Sequence, residues 1–310
     1  MKHTLKITIL LLSMFILTQF IGMYVVNYYS PVHVVAGQAV NVSAPILPYG
    51  LNPPQPTQAS DYASFFSGIV IAFIIAVLLF FMFTRFKLKI VLKLWFFVVV
   101  ALALAVSFIA IFSMKEPLYL LALAIAVPIA AFKMWGRNFL VHNLTELLIY
   151  PGIAAIFVPI LNIWTAIALL ILISVYDMWA VWHSGIMQKM AKYQINTLNI
   201  FSGFFVPYVS KQVHSQISSW KKKLSKAQLK RKKIKLNVAI LGGGDVVFPI
   251  ITAGVMLKTL GVVPAIFVIL GAALGLSYLF FVAEKKKFYP AMPFITAGIF
   301  IGIIASYILF

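Results

Sequence analysis

The sequence predicts an all-α polytopic membrane protein of about nine transmembrane helices, N-terminus inside and C-terminus outside. Three observations carry that prediction. The chain is 63% hydrophobic and only 10% charged over 310 residues, with a mean hydropathy of +1.04. A soluble domain covers its surface with about 25% Asp, Glu, Lys and Arg. Apolar runs long enough to cross a bilayer as helices recur along the chain, and helices satisfy their own backbone groups there. Basic residues then alternate between the ends of those runs in a way that fixes orientation.

Residues 5–26 form the first apolar run. Lys2 and Lys6 give it the positive start of a signal peptide. Its length exceeds a typical h-region of about 7–15 residues and no small-x-small site follows closely, so it reads as a retained span. Residues 27–62 are a polar connector with six prolines and neither Lys nor Arg. Asn41-Val42-Ser43 within it fits a glycosylation sequon, a three-residue match of low specificity. Further spans are expected at 63–83, 91–112, 117–132, 144–158 and 160–182. The polar stretch 184–237 follows, and spans at 238–257, 261–283 and 289–309 close the chain.

The expected organisation is therefore a membrane part of six spans at 1–183, a basic inside loop at 184–237, and a membrane part of three spans at 238–310. With the N-terminus inside, 23 of the 25 Lys and Arg fall on the inner side, twelve of them in the loop. Lys115 and Lys258 are the two on the outer side. That separation follows the positive-inside rule, and removing a middle span would scramble it. It also explains the net charge of +19 without nucleic acid as a partner. The loop mixes its charges with Tyr193, Phe201, Phe205 and Trp220, which suits contact with anionic membrane lipid. There is no cysteine, hence no disulfide, thiolate metal site or cysteine nucleophile. Nothing in the sequence implies a cofactor or a metal, or sets an oligomeric state.

The chain holds six acidic residues, and Asp177 and Asp245 lie well inside apolar runs. An Asp at the centre of a spanning helix costs about 2.5–3.5 kcal/mol, so an acid kept there is a functional candidate. At the helical rise, Asp177 falls roughly 9 Å and Asp245 roughly 12 Å from the inner boundary. Antiparallel neighbouring spans would let them face each other. Two facing carboxylates in low dielectric share a proton and titrate as a unit. Such a pair takes a proton from water with one group and polarises a carbonyl with the other.

Gly242, Gly243 and Gly244 before Asp245 permit close backbone approach and non-helical geometry, as a water-filled cavity needs. Pro249 loosens the same helix. Pro290, Ala291, Met292 and Pro293 open the last span at about the same depth and form a third wall. Tyr176 is either a core aromatic or a donor to Asp177 lining the substrate path. Glu146 follows Asn143 by three residues and looks like a capping-box variant at the start of the fifth span. His183 and His214 have no second ligand at metal spacing. On the Asp pair alone, a hydrolase and an ion-coupled transporter or channel stand about even.

Tyr176-Asp177, Gly242-x-Gly244-Asp245 and Pro290-Ala291-Met292 together resemble the three motifs of presenilin and signal peptide peptidase, the Gly-x-Gly-Asp intramembrane aspartyl proteases. Their order, the nine spans and the loop between spans six and seven agree over essentially the whole chain. Met292 departs from the usual Leu, a volume-conserving swap. Gly243 stands where many members carry a larger apolar residue, a change expected to loosen the site or shift substrate preference. The topology and compact loops resemble a microbial presenilin homologue, which implies a cell membrane, or an endomembrane if the source is eukaryotic. The resemblance implies cleavage of transmembrane protein substrates, with Asp177 and Asp245 as the catalytic pair. It implies that Pro290-Ala291-Met292 helps hold substrate, in an extended form paired with enzyme backbone. A transporter would be favoured by an internal repeat, and none is visible. A prepilin-type peptidase shares the Gly-x-Gly-Asp without the closing Pro-Ala.

Overall fold

The structure is a computed structural model that describes residues 5–35, 37–86, 88–136, 138–183, 202–208, 237–284 and 289–309. Among them are nine helices long and apolar enough to span a membrane. They are α1 (Leu5–Tyr29), α2 (Ala59–Arg85), α3 (Lys89–Ile111), α4 (Tyr119–Trp135), α5 (Phe139–Phe157), α6 (Ile163–Trp182), α7 (Gly243–Leu260), α8 (Val262–Val282) and α9 (Met292–Leu309). Two antiparallel hairpins accompany them: β1 (Val32–Val35) with β2 (Gln38–Asn41), and β3 (Gly203–Tyr208) with β4 (Asn237–Gly242). Most of the basic loop, His214 and Lys285–Lys287 lie outside the described residues, and most of the lipid reading of the loop falls there; Phe205, expected at the lipid, instead belongs to β3 and packs on His142 of α5 with ring centroids 4.7 Å apart.

Local sequence accounts for the helix boundaries. Asn138 caps α5 through its side chain, which accepts from the N–H groups of Leu140 and Val141. Asn162 and Thr165 form a reciprocal capping box at the start of α6. Gly261, at φ 97°, makes the turn that ends α7 and admits α8 at once. At the same end, the Lys258 ammonium donates to the carbonyls of Val158 (2.7 Å) and Pro159 (3.2 Å), where α5 runs out. That contact gives Lys258 a capping role.

Two starts differ from the sequence reading. The fifth helix begins at Phe139, so Asn143 and Glu146 lie inside it and the capping-box reading of Glu146 is corrected. His142 and Asn143 made that turn look extramembrane by hydropathy, yet both are buried. The seventh helix begins at Gly243. Residues 238–242, expected to be its first turns, belong instead to the strand β4. A continuous run such as Val238-Ala239-Ile240-Leu241 fits either a buried strand or a helix segment.

Helix α7 is the centre of the bundle and packs against α1, α5, α6, α8 and α9. Its neighbours come close because of small residues. A Cβ at Gly22 of α1 would meet Ile250 at 2.3 Å. On the far side, α8 and α9 meet backbone to backbone. Gly271 and Gly275 of α8 face Gly298 and Gly302 of α9, and a Cβ on any of the four would lie 2.1–2.3 Å from a carbonyl oxygen of the partner helix. These are two facing Gly-x-x-x-Gly motifs, and they bind α9 to α8 with no side chain between. By contrast, no residue in the apolar window of α2 is buried, and this helix touches the rest along α3 and α6.

Candidate active site

Asp177 sits about one and a half turns from the end of α6 and is 5% exposed. Its Oδ2 accepts the backbone N–H of Met292 at 3.1 Å, and the N–H of Ala291 faces the same carboxylate. These are the free N–H groups at the start of α9, which lack partners within their own helix. The Pro-Ala-Met segment thus acts through its backbone: Pro290 and Pro293 flank the start of the helix, and the two N–H groups between them take hold of the acid. One turn further along both helices, Ser174 Oγ and Thr296 Oγ1 meet at 2.8 Å. The α6–α9 seam is therefore fixed at two successive levels beside Asp177.

Asp245 is the third residue of α7. Its carboxylate turns back onto Gly242, the N-cap residue, and accepts that residue's N–H. A Cβ on Gly242 would stand 3.1 Å from Asp245 Oδ2. An acid at N3 reaching back to the N-cap N–H is half of a capping box. Both acids are thus held by N–H groups at a helix start, Asp177 by another helix and Asp245 by its own. Asp177 lies within Coulombic reach of Asp245. Gly244 is exposed and Asp245 half-buried, so the pair is open on that side.

Gly243 is buried, and the side chain it lacks has no room. A Cβ there would lie 2.8 Å from both Tyr150 Oη and Ser202 Oγ. The expected loosening is therefore not what the packing gives, since Tyr150 of α5 fills the space. Gln19, in the middle of α1 and buried, donates through Nε2 to the carbonyl of Val246 at 3.0 Å. This anchor on the residue after Asp245 was missed in the sequence. A lone amide inside an apolar span was the signal that could have found it. Tyr176 packs edge-on against Phe73 of α2, with ring centroids 5.5 Å apart, and near Trp179. It forms the seam between α2 and α6. His183 is at the exposed end of α6. Among the described residues, no group of three His, Asp or Glu could hold a metal.

Residues 30–310 match the family described as signal-peptide peptidase, presenilin aspartyl protease. The chain belongs to this family. It is a multi-pass integral membrane protein and an aspartic endopeptidase that works within the membrane on transmembrane protein substrates. Family membership supports this activity over an ion-coupled transporter. Two solved structures of a presenilin family intramembrane aspartate protease share the fold. The one in space group C222 is 17% identical, with a TM-score of 0.57 over 98% of this chain and 99% of that one. The one in P2 is 17% identical, with a TM-score of 0.56 over 97% of each chain. A search of curated proteins returned no match.

Proposed function

We propose that Asp177 and Asp245 are the catalytic pair of this protease, and that substrate lies as an added strand along β4. The observation that carries the first part is the convergence of three separated motifs. Helices α6, α7 and α9 bring Asp177, Asp245 and the N–H of Met292 into one site. One carboxylate takes a proton from an attacking water, while the other polarises the scissile carbonyl and then protonates the leaving nitrogen.

A helical substrate has its carbonyls paired, so the segment to be cut must first be extended. The hairpin supplies the surface for that. In an antiparallel pair, a residue's N–H and C=O both point either at the partner strand or away from it. Asn143 of α5 binds both backbone groups of Phe205, which therefore point away from β4. By register, Val238 and Ile240 of β4 then point away from β3. Their backbone groups line the far edge of β4, and among the described residues no strand occupies that edge. The same parity puts Gly242, which holds Asp245, next in line. A segment paired along this edge would run into the carboxylate pair.

The N-terminus is read as inside and the C-terminus as outside, in the cell membrane of a microbe, with anionic lipid beneath the basic loop. The test is cleavage of a single-span substrate by the purified protein in lipid. Wild type is expected to cut within the span, and Asp177→Asn and Asp245→Asn to lower the rate by at least about 10²–10⁴-fold. Retained cleavage in either variant removes that residue from the pair.

A further inference from the structure

The outer edge of β3 is closed by side chains. Asn143 Nδ2 donates to the Phe205 carbonyl at 2.8 Å, and its Oδ1 accepts the Phe205 N–H at 3.1 Å. One amide thus pairs with both backbone groups of one residue, as a neighbouring strand would. His142 Nε2 lies 2.9 Å from the carbonyl of Gly203, the outward residue before Phe205. The outward residue after it is Pro207, which has no N–H to leave unpaired.

A buried ion cluster stands behind this contact. Lys133 of α4 and Glu146 of α5 form an ion pair, 4% and 1% exposed. Lys133 Nζ also lies 3.3 Å from His142 Nδ1. A carbonyl only accepts and an ammonium only donates, so the imidazole carries its proton on Nε2 and accepts at Nδ1. Buried ions are retained when paired, and one use of such a pair is to fix a register. On the other side of the hairpin, Gly203 is the register partner of Gly242, whose N–H holds Asp245.

We propose that Asn143, with His142 oriented by Lys133 and Glu146, is a register clamp: it fixes β3 on α5, so that β4 and the added substrate strand meet Asp245 in a single alignment. This rests on the reading that substrate pairs with β4. Asn143 and His142 are positioning residues, and none of the four is a catalytic group. Loss of the clamp lets the hairpin slide, and a strand restores its facing only after two residues. The defect therefore shows in which bonds are cut as well as in how fast.

The experiment reads the product masses from a single-span substrate cut by the full chain in lipid. Wild type is compared with Asn143→Ala, Asn143→Gln and Leu144→Ala, the last an exposed neighbour on the same turn. Asn143→Ala is expected to raise the share of neighbouring cleavages at least threefold and to lower kcat more than it raises KM. Leu144→Ala is expected to keep the wild-type products. Wild-type products in wild-type proportions from Asn143→Ala would overturn the clamp. If that variant does not fold, the product pattern of Asn143→Gln decides by the same criterion. A substrate with proline on either side of the scissile bond separates the two ideas. If wild type cuts it as well as the parent, strand addition fails. If wild type rejects it and Asn143→Ala still keeps one register, the clamp alone fails.

Discussion

Asp177 and Asp245 are chemically the same group held in two different ways. Asp177 belongs to a helix that is already well formed, and another helix grips it through the N–H of Met292. Its position depends on how α6, α9 and α8 pack, through Ser174, Thr296 and the four facing glycines. Asp245 belongs to the first turn of its own helix and is gripped by its own N-cap. Its position depends on where β4 ends, and so on the hairpin and the polar face of α5. The pair is thus assembled from a packed half and a hydrogen-bonded half. A change on the packed side is expected to alter the rate at unchanged register, and a change on the hairpin side to alter both.

Away from the two acids themselves, the largest effect is expected from Gly298→Val. Its new Cβ would lie 2.1 Å from the carbonyl oxygen of Gly271, so α9 must move away from α8. Overpacking of this kind costs about 1–3 kcal/mol, and a shift of about 1 Å at reacting groups costs about 10²-fold in rate. The variant should show a lower Tm and weak cleavage at the wild-type bond. A redistributed product set would break the division into two halves. Next comes Gly243→Leu, which drives a side chain into Tyr150 and Ser202. A loss of about 10²-fold is expected by the same displacement, here with altered cleavage positions. Activity at the wild-type level would show that Tyr150 yields and that the close fit is without consequence. The smallest is Ser174→Ala. One hydrogen bond between membrane helices averages about 0.6 kcal/mol, so a small fall in Tm and a few-fold fall in kcat are expected, with no change of product. A product change from Ser174→Ala would place Asp177 under hairpin control as well.

Much of this arrangement could be read in the chain. The nine helices follow from apolar runs, and the three motifs stand out because acids and prolines are rare at such depths. What was missed shares one cause: contacts between residues far apart in the chain. Val238–Leu241 reads as helix because its apolar run flows into α7, and only pairing with 203–208 makes it a strand. Glu146 reads as a cap because its partner Lys133 lies on another helix. The Gly271/Gly275 and Gly298/Gly302 pairs were in plain view as spaced glycines, but their meaning lay in facing one another.

The closed edge of β3 has a consequence for self-association. An enzyme that straightens apolar segments and lays them on a strand offers a template for uncontrolled polymerisation. A sheet with two open edges can grow in both directions into a fibre. Here Asn143 covers one edge and Pro207 leaves no donor beside it, so that among the described strands of this sheet the edge left open is that of β4. Pairing of two copies through β3 would first have to displace Asn143 from Phe205. The same amide that aligns the cut would thereby keep each molecule's sheet separate from the next.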